Sequence, residues 1–293
     1  MRYRKIYFGF SIAVVAVGVF SLLKWGIRPG IDFVGGTIAE YKFEESISIE
    51  EASKKIDSDG VKVISITRTD GTKYVFKFSP LNNEDKEKLN KSLSEFTGSK
   101  TFEELRFETV GPSIGPELIK KTIYAIAIAA SAILLWVAYQ FKSIKFGTSA
   151  ILAMFHDSFI LIGLFSFMGH FLGVEVDFLF FTALLTTLSF SVHDTIVVYD
   201  RIREYQKKYG GDLYELSNRA VTETMVRSLN NSFTIIFMLF SLILLGGETV
   251  KWFSVALLIG TVFGTYSSPF VAVPLLVTWD EFLAKIKSKR IGK

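Results

Sequence analysis

Two aspartates and one arginine stand where the surrounding sequence is too apolar to solvate them. Asp194 lies inside the apolar run 177–199. Asp157 follows His156 inside the run 148–172. Arg227 opens the run 227–246 and is followed by Asn230 and Asn231. A carboxylate in such a place can carry a proton, bind a cation together with hydroxyls such as those of Ser191 and Thr195, or tie helices together. At the helical repeat Ala183, Thr187, Ser191, Asp194 and Arg201 share one face. That small, polar face is expected to look into a helix bundle rather than at lipid. Arg227 counts to a depth similar to that of Asp194, and a bond between them would lower the cost of both charges and could hold a proton-dependent switch. The plainer readings stay open: Asp194 as a helix-locking residue, Arg227 as a snorkelling interface arginine, His156 and His193 as orienting or packing residues rather than metal ligands.

The elements that position these groups follow from the hydropathy pattern. The chain has 293 residues, of which 49% are hydrophobic, and its mean hydropathy is +0.36. The net charge of +4 is too small to suggest nucleic-acid binding. There is no Cys, which excludes disulfides, iron–sulfur clusters and Cys-zinc sites, and three His are too few for a His-built metal cluster. Apolar runs at 6–23, 119–139, 148–172, 177–199, 227–246 and 252–279 are each long enough to cross a bilayer. The first is read as a retained anchor, since no small-x-small cleavage site follows it. The chain thus divides into an N-terminus and first span (1–29), a large loop (30–116), five further spans (117–284) and a basic tail (285–293). Lys and Arg of the N-terminus, the 140–147 loop, the 200–226 loop and the tail all fall on one side, so both termini are expected in the cytoplasm and the large loop outside. Counted from Tyr199, Asp194 lies about 8 Å from the cytoplasmic end. Asp157 counts to the bilayer centre, so the two carboxylates are expected at different depths.

The outside loop reads as a small α+β domain. Residues 37–43 alternate like a strand, and Ser48-Ile-Glu-Glu51 is a capping box opening a helix through about residue 57. Residues 61–67 and 73–78 form a hairpin through Asp70-Gly71. Asn83 is expected to cap a helix through residue 96, and 101–110 is a last strand. The order β-α-β-β-α-β is that of the ferredoxin-like unit. In the sixth span Ala256, Gly260, Gly264, Ser268 and Ala272 recur every four residues, a seam for close helix approach. Gly9 and Ala13 make a weaker seam in the first span. Thr265-Tyr-Ser-Ser268 and Pro269 invite a local bend. No phosphate-binding loop, nucleophile elbow or His-Glu-x-x-His motif occurs, so no enzyme activity is expected.

Several motifs together resemble the SecF family, within the RND superfamily. Gly30-Ile-Asp-Phe-Val-Gly-Gly-Thr37, with Asp32, Gly35 and Gly36, resembles that family's Gly-x-Asp-Phe-x-Gly-Gly-Thr. Val110-Gly-Pro-Ser-Ile-Gly115, with Gly111 and Pro112, His156-Asp157, the run Ser191–Glu204 and Leu258–Ser268 match further family motifs. The resemblance implies a fold of six membrane helices, half of an RND-type bundle, with the small domain between the first two. It implies a part in protein export across a bacterial or archaeal cytoplasmic membrane, driven by the proton-motive force. The implied partners are SecD as the complementary half, the SecYEG translocon, SecA and the unfolded exported chain, with YajC and YidC as further candidates. By motif position Asp194 takes the place of the family's membrane carboxylate and Arg227 that of its functional arginine. No cofactor is implied; H+ is the expected coupling ion, with Na+ as the alternative. His193 departs from the usual Asn, and either relays the proton or replaces the amide as a hydrogen-bond donor; the second is preferred. Ser189-Phe190-Ser191 also departs, lacking the usual Gly. An RND-like exporter of small molecules or lipids is the alternative function, disfavoured by an outside domain of only about 75 residues. A third reading is a translocon scaffold whose charges are purely structural.

Overall fold

Long apolar stretches have one low-energy solution in lipid, the helix, because it satisfies every backbone donor and acceptor internally. The computed structural model describes residues 1–98, 101–111, 114–141 and 143–291, and six of its helical segments are long and apolar enough to span a membrane. Pro112, Lys142 and Lys293 lie outside the described residues. In chain order the elements are α1 (Arg4–Trp25), a single turn α2 (Ile31–Val34), β1 (Gly36–Phe43), α3 (Ile49–Ser58), β2 (Val63–Asp70), β3 (Lys73–Phe78), α4 (Asn83–Thr97), β4 (Phe102–Val110), α5 (Ile114–Phe141), α6 (Ile144–Leu172), α7 (Phe178–Tyr209), α8 (Leu213–Leu245), α9 (Glu248–Ser267), a π-helical turn (Ser268–Ala272) and α10 (Val273–Ile291). Two units result: residues 29–124, and residues 1–28 with 125–293.

The smaller unit has the expected β-α-β-β-α-β order, with an antiparallel sheet ordered β2-β3-β1-β4. Alternation puts Ala39, Tyr41 and Phe43 of β1 and Tyr74, Phe76 and Phe78 of β3 on one face, where they bury against Ile56 of α3 and Leu89 and Leu93 of α4. Ser48 caps α3 as expected, accepting from the Glu51 N–H. The cap of α4 is Asn82, not Asn83. Asn82 accepts from the Asp85 N–H at 2.9 Å while Asp85 accepts from the Asn82 N–H, and this reciprocal box satisfies two donors that Asn83 could not.

In the membrane unit α6, α7 and the α9–α10 segment supply most of the buried surface, whereas α1, α5 and α8 expose most of theirs. The expected 200–226 loop is helical. α7 runs ten residues past Tyr199, α8 starts at Leu213, and Gly210-Gly211-Asp212 alone joins them. Ile202, Tyr205, Leu213 and Ala220 bury in one cluster, which holds the extensions together; Gly210 and Gly211 adopt positive φ to reverse the chain.

The sixth-span seam packs on α7. A Cβ on Gly260 would collide with the Thr187 side chain, and one on Gly264 would come within 3.3 Å of the Ser191 Cβ. The seam expected at Gly9 and Ala13 is absent: both are exposed, and nothing approaches Gly9. The first span instead meets α6 through Gly18 and Ser21, with Gly18 against the backbone of Gly163, while Ser11 shares a hydrogen bond with Tyr266 of α9. The Ser21 hydroxyl donates to Ser166, which donates to the Gly26 carbonyl. The bend expected near Pro269 is the π turn; Val273 N–H reaches back to the Ser268 carbonyl, and Pro269 has no N–H to offer Thr265.

Gly260→Ala should cost about 1–3 kcal/mol and be rescued more fully by Thr187→Gly than by Thr187→Ala, because the Thr187 Cβ is itself 2.5 Å from the new methyl. Gly163→Ala meets backbone and should have no such rescue; thermal unfolding of the single and double variants in detergent checks this. In the smaller unit, the Ser92 hydroxyl at 2.6 Å and then Lys55 hold the Asp59 carboxyl below the usual aspartate range. The folded state therefore binds this proton less readily than the unfolded one. The bond stabilises at pH above the ordinary aspartate value and is lost as pH falls through the lowered one. Ser92→Ala should flatten the acid dependence of amide protection in α3 and α4.

Candidate functional site

The chemistry-bearing residues sit where α6, α7, α8 and α9 approach one another. α7 presents Ala183, Thr187, Ser191 and Thr195 inward, all buried, as its four-residue spacing requires. Opposite stand the glycines of α9 and the π turn. Thr195 and Ser268 share a hydrogen bond at 2.9 Å, and the Tyr199 hydroxyl donates to the Ala272 carbonyl at 2.9 Å while bonding Ser149 at 2.7 Å. Side-chain hydroxyls thereby occupy carbonyls and one another in a region without solvent.

Asp157 is the hub of this interior. It is 6% exposed. Its Oδ2 accepts from Ser191 of α7 at 2.5 Å and from Ser267 of α9 at 2.6 Å, and its Oδ1 bonds Nδ1 of His156 at 2.8 Å. Nε2 of His156 is buried without a hydrogen-bond partner. Ser191, Ser267 and His156 together satisfy this buried carboxyl group within the bundle.

Asp194 is half-buried, at the middle of α7. Ser228 of α8 donates to its Oδ2 at 2.5 Å. A cavity of about 20 Å³, the size for a single water, is lined by His193, Asp194, Asn231, Ser232, Thr261 and Thr265 among others. Ser232 and Thr265 close it with a 2.6 Å hydrogen bond. Arg227, His193, Asn230 and Asn231 are exposed on this side. Among the described residues no ion pair joins Asp194 to Arg227: Ser228, one position on, takes the place expected for the arginine, because it is the α8 residue turned toward α7.

The two carboxylates are near neighbours in the bundle. Asp157 bonds Ser191, which is one helical turn from Asp194, about 4.5 Å along the axis. No hydrogen bond joins the carboxylates, and each is held by its own hydroxyls, so the geometry is not that of a paired-carboxylate protease. Sequence reading named Ser191 but missed Ser228 and Ser267. The signal for Ser228 is its place next to Arg227 at the depth of Asp194.

The glycine motifs meet in the smaller unit. Gly35 and Gly36 have positive φ and lead from α2, which carries Asp32, into β1. Gly36 pairs with Val110, the residue before Gly111. A Cβ at Gly115 would collide with the Phe33 backbone. Gly260, Gly264 and Ser268 are packing residues of the seam. Ser228→Ala should strip Asp194 of its side-chain donor and lower activity that depends on Asp194 about tenfold, with folding unchanged, by comparison of activity and thermal unfolding in one preparation.

Comparison with known proteins bears on this arrangement. The family model "Protein export membrane protein SecD/SecF, C-terminal" matches residues 89–282 and the "SecD/SecF GG Motif" model matches 20–47. The chain is 40% identical to a protein translocase subunit SecF of Thermobaculum terrenum, over 96% of this chain and 93% of that one. It is 31% identical to the protein translocase subunit SecDF of Bacillus subtilis, over 94% of this chain but 37% of that longer one. The crystal structure of a Thermus SecDF, titled a translocon-associated membrane protein, superposes with a TM-score of 0.83 at 32% identity, covering 96% of this chain and 38% of that chain. The chain belongs to the SecD/SecF family of protein-export membrane proteins and takes part in Sec protein export.

Proposed function

We propose that this chain is the SecF-type half of a proton-driven export device. It pairs with SecD in the cytoplasmic membrane, has both termini in the cytoplasm, and helps SecYEG and SecA release exported polypeptides outside. The observation that carries the reading is Asp194: a half-buried carboxylate at mid-span, bonded to Ser228, beside a one-water cavity. The exposed Arg227, His193, Asn230 and Asn231 around it favour a protein neighbour, because charged and amide side chains at that depth are costly against lipid. The fusion of both halves in the Bacillus relative supports SecD as that neighbour.

In this mechanism Asp194 takes a proton through the small polar cavity. The neutral acid holds Ser228 less tightly than the carboxylate does, the helices shift, and the proton leaves on the other side. Asp157 serves as a second proton-holding group. One charge crossing about 100 mV supplies about 2.3 kcal/mol, a bias of about fiftyfold on a two-state bundle. H+ is the proposed coupling ion, and replacing the proton gradient by a sodium gradient tests it.

Vesicles holding this chain with SecD and the translocon should export faster under a proton gradient once SecA has finished its ATP-driven step. Asp194→Asn should abolish that acceleration without unfolding the chain. His193→Asn should leave it nearly unchanged, since an amide supplies the same donor. A well-folded Asp194→Asn that still responds to the gradient would remove Asp194 from the mechanism.

A further inference from the structure

The buried hub and the break in the sixth span touch at one residue. Ser267 donates to Asp157 Oδ2 at 2.6 Å and is the last residue before the π turn Ser268–Ala272. The same hydroxyl has a second acceptor within reach, the Gly264 carbonyl one turn back, at 3.2 Å. π turns inside long helices are short, strained insertions that tend to sit where a helix changes register. This one is tethered on three sides: Ser267 to Asp157 of α6, Ser268 to Thr195 of α7, and the Ala272 carbonyl to Tyr199.

We propose that His156, Asp157 and Ser267 form a proton-operated latch on the π turn, so that these three are positioning residues for the export cycle. The ionised carboxylate has acceptor sites only, and it holds Ser191, Ser267 and His156 at once. When Asp157 takes one proton, one of its acceptor sites becomes an O–H donor. If the proton sits on Oδ2, it must donate to one of the two serine oxygens there. Where that oxygen is Ser267's, Ser267 turns its own proton to the Gly264 carbonyl, and the tie between α6 and the start of the π turn survives only as a neutral hydrogen bond, about half as strong as the charge-assisted one. If the proton sits on Oδ1, it donates to Nδ1, and the imidazole N–H moves to the buried, partnerless Nε2. That leaves an unsatisfied donor, so the Oδ2 form that weakens the Ser267 tie is favoured. Loss of the proton reverses each step and closes the latch.

The charge environment is simple. His156 on its own helix is the titratable side chain bonded to Asp157 among the described residues. α7 faces it with the Ser191 hydroxyl, and α9 with that of Ser267. α1 packs on α6 with Gly18 and Ser21. Asp280 of α10 is engaged by Lys145, Tyr199 of α7 by Ser149 and Ala272, and Asp194 by Ser228.

The latch deepens the proton-coupled reading above, and its test is separable from that of Asp194. The full chain with SecD, in lipid, is followed by amide hydrogen exchange at residues 270–273 across a pH series, corrected for intrinsic exchange. The wild type should lose protection by about tenfold, the effect of one charge-assisted hydrogen bond, as pH falls through a single transition. Ser267→Ala, which cannot bond, should show the low protection at every pH, and Asp157→Asn, which still accepts but cannot ionise, should show no transition. Asp194→Asn should keep the wild-type transition even while it abolishes gradient-driven export. Ser267→Ala keeps the buried carboxylate with two donors and decides the matter if Asp157→Asn does not fold. Protection that is independent of pH in the wild type, or a transition that survives Ser267→Ala, overturns the latch. A transition that vanishes in Asp194→Asn assigns it to Asp194 and overturns the latch as well.

Discussion

How near two helices can come sets what can be buried between them. At Gly260 and Gly264 the backbone of α9 lies against Thr187 and Ser191 of α7 with no side chain in between. That approach brings hydroxyls of both helices within reach of a third, α6, and lets one carboxylate there collect Ser191 and Ser267 together. A larger residue at either glycine would part the helices and leave Asp157 short of donors inside the bilayer, where a missing bond to a charged group is most costly. The seam, which carries no chemistry, is the condition for the site that does.

Features fixed by local rules were readable in the sequence. Residues 73–78 alternate and form β3 with those limits, the polar face of α7 points inward at Ala183, Thr187 and Ser191, and the four-residue seam finds its partner helix. What sequence did not disclose depended on comparing neighbours. Asn82 and Asn83 are chemically alike, and the reciprocal bond with Asp85 decides between them. Gly9 and Gly18 are both glycines of α1, but Gly18 alone faces Gly163. The charged stretch 200–226 looks like a loop by hydropathy, yet its Ile202, Tyr205, Leu213 and Ala220 bury together and extend two helices.

The site shows the same division. That Asp194 and Asp157 must be buried or paired followed from their apolar surroundings. Which groups pair with them did not, because partner choice depends on rotation about α8. One residue of phase, about 100°, separates Arg227 from Ser228, and it decides whether the carboxylate meets a cation or a hydroxyl.

The α7–α8 hairpin has a mechanical consequence. From the contact of Asp194 with Ser228 to the turn at Gly210 and Gly211, both helices run unbroken. They form a stiff arm of about 22 Å. A tilt of about 5° at the carboxylate, close to the smallest shifts that packed helices undergo, carries the far tip about 2 Å. The arm bears Arg201, Glu204, Glu223 and Arg219 along its flank, and the Arg201 guanidinium is bonded to both glutamates, so the two helices swing as one beam. A change in hydrogen bonding at mid-membrane is thereby displayed as displacement on the basic side of the bundle, without any loop having to fold or melt.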